Sequence, residues 1–254
     1  MNTKAPITNT TIEQFAEWLQ TPLGKYLLEH EQRFFDQAVV NIFGFYALQL
    51  ELPHYDLLRH NRIPSKMSGG LSEHNQLYCD PAQLPLPEAS IDLIIVPHVL
   101  DFHSDPHSVL REVERVLVPE GRVLLSGFNP WSLWGLARLG KCCRGMPWQG
   151  NFLSLARIKD WLALLSLEPC SGQLYNYAPP ISHSLWLKRF KRMEHLGNRW
   201  WPIGGAVYCI EAIKRIQGLR LIAPSWKKPK TLRHSIPVGP IERLQQPPQR
   251  ADID

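Results

Sequence analysis

Three places in the chain put a polar side chain directly after an apolar run: Leu50-Glu51, Cys79-Asp80 and Val96-Pro97-His98. An acidic side chain at the end of a strand can accept hydrogen bonds from a ribose hydroxyl or an adenine amine. These ends therefore point to a nucleoside-containing ligand, with the capping of local loops as the alternative. His98 has an ordinary pKa of ~6.5, so it can take a proton near neutrality and act as a general base, or it can pack and hydrogen-bond locally. Asp101, His103, Asp105 and His107 add ligand-type side chains nearby. Pro106 and the helix start it marks break any common face between His103 and His107, so no metal site is expected. The five cysteines (Cys79, Cys142, Cys143, Cys170 and Cys209) include no C-x-x-C pair. Neither a disulfide scaffold nor a structural zinc is expected, and a reducing cytoplasm fits that usage.

These side chains need a parallel sheet to bring them together, and the middle of the chain supplies its signature. Ile91–Val96 is a continuous apolar run, as in a strand buried on both faces. Ser104 or Asp105 caps a helix with Pro106 in its first turn, which buries Val109, Leu110, Val113, Val116 and Leu117. Pro119-Glu120-Gly121 then turns the chain into a strand at Val123–Gly127. Such a strand–helix–strand unit makes a right-handed crossover between parallel strands. Upstream, the spacing predicts a helix over 12–42, a strand over 45–50, a short helix over 54–61, and strands over 63–68 and 76–79. Downstream, Asn129-Pro130 starts a helix and Ser154–Leu165 forms another. A strand follows at Gln173–Tyr177, then a basic helix over 183–197 and a last strand at Ala206–Ile213. The alternation predicts an α/β sheet wound on both faces.

At 254 residues with 44% hydrophobic and 20% charged, the chain is long enough to hold one sizeable core without staples. The N-terminus lacks the apolar stretch of a signal peptide, and Ile91–Leu100 is too short and too interrupted to cross a membrane. Residues 1–213 carry 19 basic and 20 acidic side chains, whereas residues 214–254 carry 9 and 3. The expected organisation is an N-terminal helical segment (1–43), an α/β domain (44–218) and a flexible, proline-rich basic tail (219–254). That tail, and the basic helix, could make weak contacts with RNA or an anionic membrane surface.

Two longer runs carry a resemblance. Asp80-Pro81-Ala82-Gln83-Leu84-Pro85-Leu86-Pro87-Glu88-Ala89-Ser90-Ile91-Asp92-Leu93-Ile94 resembles the D-A-x-x-L-P-F-x-x-x-S-F-D segment of class I S-adenosylmethionine (SAM)-dependent methyltransferases. His98-Val99-Leu100, continued by Leu110-Arg111-Glu112-Val113-Glu114-Arg115-Val116-Leu117-Val118-Pro119-Glu120-Gly121, is similar to the H-V-L and L-R-E-x-x-R-V-L-x-P-G-G segments of the type-11 group. Ser126–Leu136 is similar to its YafS-type bacterial branch.

The resemblance implies a Rossmann-like sheet, SAM as cofactor, and methyl transfer to a small-molecule or lipid-like acceptor. It also implies roles. Asp80 would meet the adenine amine, with the Pro81 backbone beside the ring. Glu51, next to Leu50, would meet the amino-acid end of SAM or a ribose hydroxyl. Pro97 and His98 would lie beside the transferred methyl, and Asn129, Trp131 and Trp134 would line the acceptor side. The family's glycine-rich loop after the first strand corresponds to Leu48–Tyr55, which has no glycine, or to Asn41–Tyr46, which has one. Lys66–Gly70 holds no acid for the ribose. These departures leave room for a binding or scaffold protein of the same fold, and the basic regions for an RNA-associated methyltransferase.

Overall fold

The computed structural model describes residues 9–139, 145–180 and 204–215. The chain divides into two units, Met1–Gly218 and Leu219–Asp254, and the second lies outside the described residues. The same holds for the predicted basic helix over 183–197 and for Cys142 and Cys143.

The first unit is built on a seven-stranded sheet in the order β3-β2-β1-β4-β5-β7-β6. Its strands are β1 (Tyr46–Leu50), β2 (Ser65–Gly70), β3 (Leu77–Tyr78), β4 (Ile91–Pro97), β5 (Leu117–Phe128), β6 (Leu167–Tyr175) and β7 (Val207–Lys214). The pairs from β3 across to β5 are parallel, and β7 runs antiparallel to both β5 and β6. Parallel pairing sets the carboxyl ends of β1 to β4 side by side, where an open α/β sheet binds ligands. The register confirms it: Leu50 lies opposite Gly69, and Pro97 opposite Ser126.

Among the described residues six α-helices flank the sheet: α1 (Asn9–Leu19), α2 (Pro22–Ala38), α3 (Val99–Phe102), α4 (Pro106–Val116), α5 (Leu133–Leu139) and α6 (Leu155–Leu164). One layer of core packs α1 and α2 against the sheet through Phe15, Leu19, Leu27, Phe35, Leu93 and Leu124. The opposite layer packs α4 and α6 through Val109, Val113, Ile158, Leu162, Ile94 and Leu125. β4 contributes alternate residues to both layers, which is why it reads as uninterrupted apolar sequence. Asp105 caps α4 by accepting from the Ser108 N–H at 3.2 Å.

Some expectations differ from the structure, and the helix expected to start at Asn129-Pro130 starts at Leu133. The helix over 12–42 is two helices, broken at Gln20-Thr21, where the Thr21 hydroxyl accepts from the Gly24 N–H at 3.2 Å and Pro22 opens α2. Proline at that point fits a helix start and not an interior. Residues 54–61 form turns, because the Gln49 side chain engages their backbone in place of a helical ladder. β5 and β6 each begin six residues before the predicted strands, at Leu117 and Leu167. The one-turn α3, absent from the sequence reading, follows His98 directly.

Candidate functional site

At the end of β1 the backbone turns through two left-handed residues, Glu51 (φ 60°) and Leu52 (φ 50°). Non-glycine side chains rarely take this conformation. Gln49 holds them there. Its buried amide nitrogen is within 3.2, 3.0 and 2.7 Å of the Glu51, Leu52 and Tyr55 carbonyls, and its oxygen accepts from the Leu57 N–H at 3.0 Å. The left-handed path that glycines favour is thus kept by a side chain that binds it from beneath. Gln49 escaped the sequence reading, although a lone polar residue inside Ala47-Leu48-Gln49-Leu50 was its signal.

The Glu51 side chain crosses to the end of β2. Its carboxyl group accepts from the Leu71 N–H at 2.7 Å and from the Asn75 amide at 3.4 Å. Gly70 makes that crossing feasible, because a Cβ there would overlap the Glu51 carboxyl group. An acid therefore stands at the carboxyl end of β2, although β2 contributes none itself. Burial pushes the Glu51 pKa up to about 7, against the lowering effect of the Leu71 and Asn75 hydrogen bonds.

Asp80, just beyond β3, lies on the exposed rim. One of its oxygens accepts from the Ala82 N–H at 2.8 Å and is 3.0 Å from His103 Nε2. Pro81 is buried behind it.

His98 ends β4 in a left-handed conformation (φ 53°) and is fully buried. Its Nε2 is 2.6 Å from Glu31 of α2, and its Nδ1 is 2.8 Å from Asp101 of α3. Carboxylates only accept, so both ring nitrogens carry hydrogen and the ring is an imidazolium. Burial disfavours that charge, but Glu31 and the bonds to both carboxylates outweigh it and hold the His98 pKa at about 9. Burial raises Asp101 to about 6, opposed by His98. Asp101 also accepts from the Phe128 N–H at 3.0 Å, so the cluster ties α2, α3, β4 and β5 together. In this arrangement His98 has no free nitrogen lone pair with which to take a proton from an acceptor, which departs from the general-base expectation. Glu31 had no local signal; it lies on the buried stripe of α2, where an acid is costly unless paired.

Glu51, Leu71, Pro81, Pro97, His98 and Val99 line one small cavity together with Ile12 and Phe15 of α1, Phe102 and His103. Leu50 is fully buried beneath Glu51. The three predicted acceptor-side residues are not brought together there. Asn129 caps the turn after β5, accepting from the Trp131 N–H at 3.1 Å and donating to the Gly205 carbonyl at 2.9 Å. Trp131 is 71% exposed. Trp134 is buried in the core, donating to the Ala178 carbonyl at 2.9 Å and stacking on Phe128. Among the described residues no group of three or more His, Cys, Asp or Glu side chains could hold a metal ion, and no helix is long and apolar enough to cross a membrane.

A family model described as a methyltransferase domain matches residues 58–125. The chain is 37% identical over 175 residues to the uncharacterized protein YafS of Escherichia coli (strain K12), covering 68% of each protein. Solved structures share the fold. A SAM-dependent methyltransferase from Thermotoga maritima superposes with a TM-score of 0.58 at 15% identity, over 82% of this chain and 97% of that one. One from Archaeoglobus fulgidus gives 0.54 at 14% identity, over 74% and 93%. Geranyl diphosphate C-methyltransferase from Streptomyces coelicolor A3(2), in complex with S-adenosyl-L-homocysteine, gives 0.51 at 15% identity, over 74% and 79%.

Proposed function

We propose, for a chain that belongs to the type-11 family of class I methyltransferases, that it binds SAM at the carboxyl ends of β1 to β4 and passes the methyl group to a small or lipid-like acceptor. The observation that carries this reading is the convergence of Glu51, Pro81, Pro97 and His98, from three strand ends, on one cavity beside Asp80.

The residues present suit the cofactor chemically. Asp80 on the rim offers a carboxylate to the adenine amine beside buried Pro81. Glu51, brought to the end of β2, offers acceptors to ribose hydroxyls where β2 has no acid. Gln49 supplies the left-handed turn that glycines would otherwise provide. SAM, when bound, would supply an electrophilic methyl group on its sulfonium; an acceptor lone pair would take that carbon while the C–S bond breaks and S-adenosylhomocysteine leaves as the neutral thioether. The chain's part is then alignment, which converts a two-body encounter into an oriented one. Pro97 and the His98 cluster form the rigid floor for that alignment. The bonds from Glu31 and Asp101 fix the His98 ring and place a buried cluster of one cation and two carboxylates beneath the cleft.

Calorimetric titration with SAM and S-adenosylhomocysteine tests the reading. Binding at micromolar strength is expected for the wild-type chain, with Asp80→Ala reducing it at least tenfold while the melting temperature stays the same. Absence of binding by folded protein at millimolar ligand would favour the second reading, a methyltransferase fold that serves as a binding module. The small volume of the cavity is the observation on that side.

A further inference from the structure

Two neighbouring spaces at the strand ends share one wall. On one side is the cavity bounded by Glu51, Pro97 and His98, with a volume of about 10 Å³. On the other is a groove of about 300 Å³ between α1 and the turn after β1, lined by Leu52, Pro53, Ser72 and His74. Ile12 of α1 lines both. It is 8% exposed, so its side chain is packed among protein atoms and not in solvent. A volume near 10 Å³ holds one water at most, whereas sites for drug-sized ligands run to roughly 300–1,000 Å³. Taken together, the two linings trace one trough from the ends of β1 and β2 to the end of β4, and Ile12 is the residue they share.

The two ends of α1 are held differently. Phe15 is rooted in the core, 4.7 Å from Phe102 and 5.2 Å from His98 between ring centres. Towards Leu19 the helix lies against Gly24 of α2, where a Cβ would overlap the Trp18 carbonyl. Ile12 lies nearer the start of the helix, beyond these anchors.

We propose that Ile12 is a gate. With the trough empty it stands across the path of the methyl donor, and the first turn of α1 must move aside for a sulfonium nucleoside to reach Pro97 and His98. This rests on the reading that the trough takes SAM. A closed state of this kind lowers apparent affinity by the fraction of molecules that are open. Trimming the gate therefore raises affinity. A residue that served as an ordinary wall of the site would do the reverse, because trimming it removes contacts with the ligand.

The test is titration of SAM into the wild type, Ile12→Ala and the milder Ile12→Val, with association rates from stopped flow and melting curves as the check on folding. The expected result is a roughly tenfold gain in affinity for Ile12→Ala, carried by faster association, with Ile12→Val in between. Hydrogen exchange at the start of α1 should rise when SAM is added to the wild type. Equal or weaker binding by both variants would overturn the gate and leave the donor reading standing. Folded proteins of which none binds SAM would remove the donor reading, and the gate with it.

Discussion

Glu51 keeps its carboxyl group out of water, and that has a pH signature. Its folded pKa of about 7 lies above the ordinary 4.5, so the folded chain binds this proton more tightly than the unfolded chain. Stability is therefore lost as pH rises from about 4.5 through 7, by about 3 kcal/mol from this group. Glu51→Gln should remove that slope and unfold at a higher urea midpoint than wild type at pH 7.5, with the difference fading by pH 4.5. His98 works in the same direction over a higher window. Its stabilisation is complete below its ordinary 6.5 and is lost as pH rises through about 9. Removing the coulombic support of one carboxylate, in Glu31→Gln, should bring that loss to lower pH, as read by melting temperature against pH. Residues that end an apolar run, such as Glu51, Asp80 and His98, were legible in the sequence. Glu31 and Gln49 were not, because their roles depend on partners that no local pattern announces: Glu31 meets a ring 67 residues away.

Among the elements, β4 and β5 were legible as continuous apolar runs, and α4 because its apolar residues recur at helical spacing behind a capping residue and a proline. The break between α1 and α2 was not, since apolar residues continue across it at near-helical spacing. What decides it is Thr21 with Pro22 and the close approach at Gly24, where a Cβ would overlap the Trp18 carbonyl and the Leu19 backbone. Gly24→Ala should therefore push the two helices apart at a cost of roughly 1–3 kcal/mol. The expected outcome is a lower melting temperature together with faster proteolytic cleavage within α1. The ends of β5 and β6 were misplaced for other reasons. β6 extends into polar sequence because pairing with β7 from Leu167 onward satisfies its backbone whatever the side chains are, whereas β5 begins early because Leu117 pairs with Ile91 of β4 ahead of an irregularity in that ladder.

At the scale of the whole molecule, charge and fold separate. Residues 1–213 are close to neutral, and the positive excess lies in 214–254. We propose that this excess makes weak, salt-sensitive contacts with RNA or anionic lipid. Ending the chain at Gly218 should leave SAM affinity unchanged but reduce RNA retention, and the full chain's RNA binding should fall steeply between about 50 and 200 mM salt. Binding that is indifferent to salt would remove the electrostatic account. The buried pairing of Glu31 with His98 has a consequence for how the molecule is made. Synthesis runs from the N-terminus, so α2 leaves the ribosome well before the strand that carries its ionic partner. Until β4 has emerged, Glu31 lacks its ionic partner, although α2 can already pack on α1 and pair with Arg59. The buried face of α2 is therefore completed only by the end of a strand made later, 67 residues along the chain from Glu31, at the floor of the cleft.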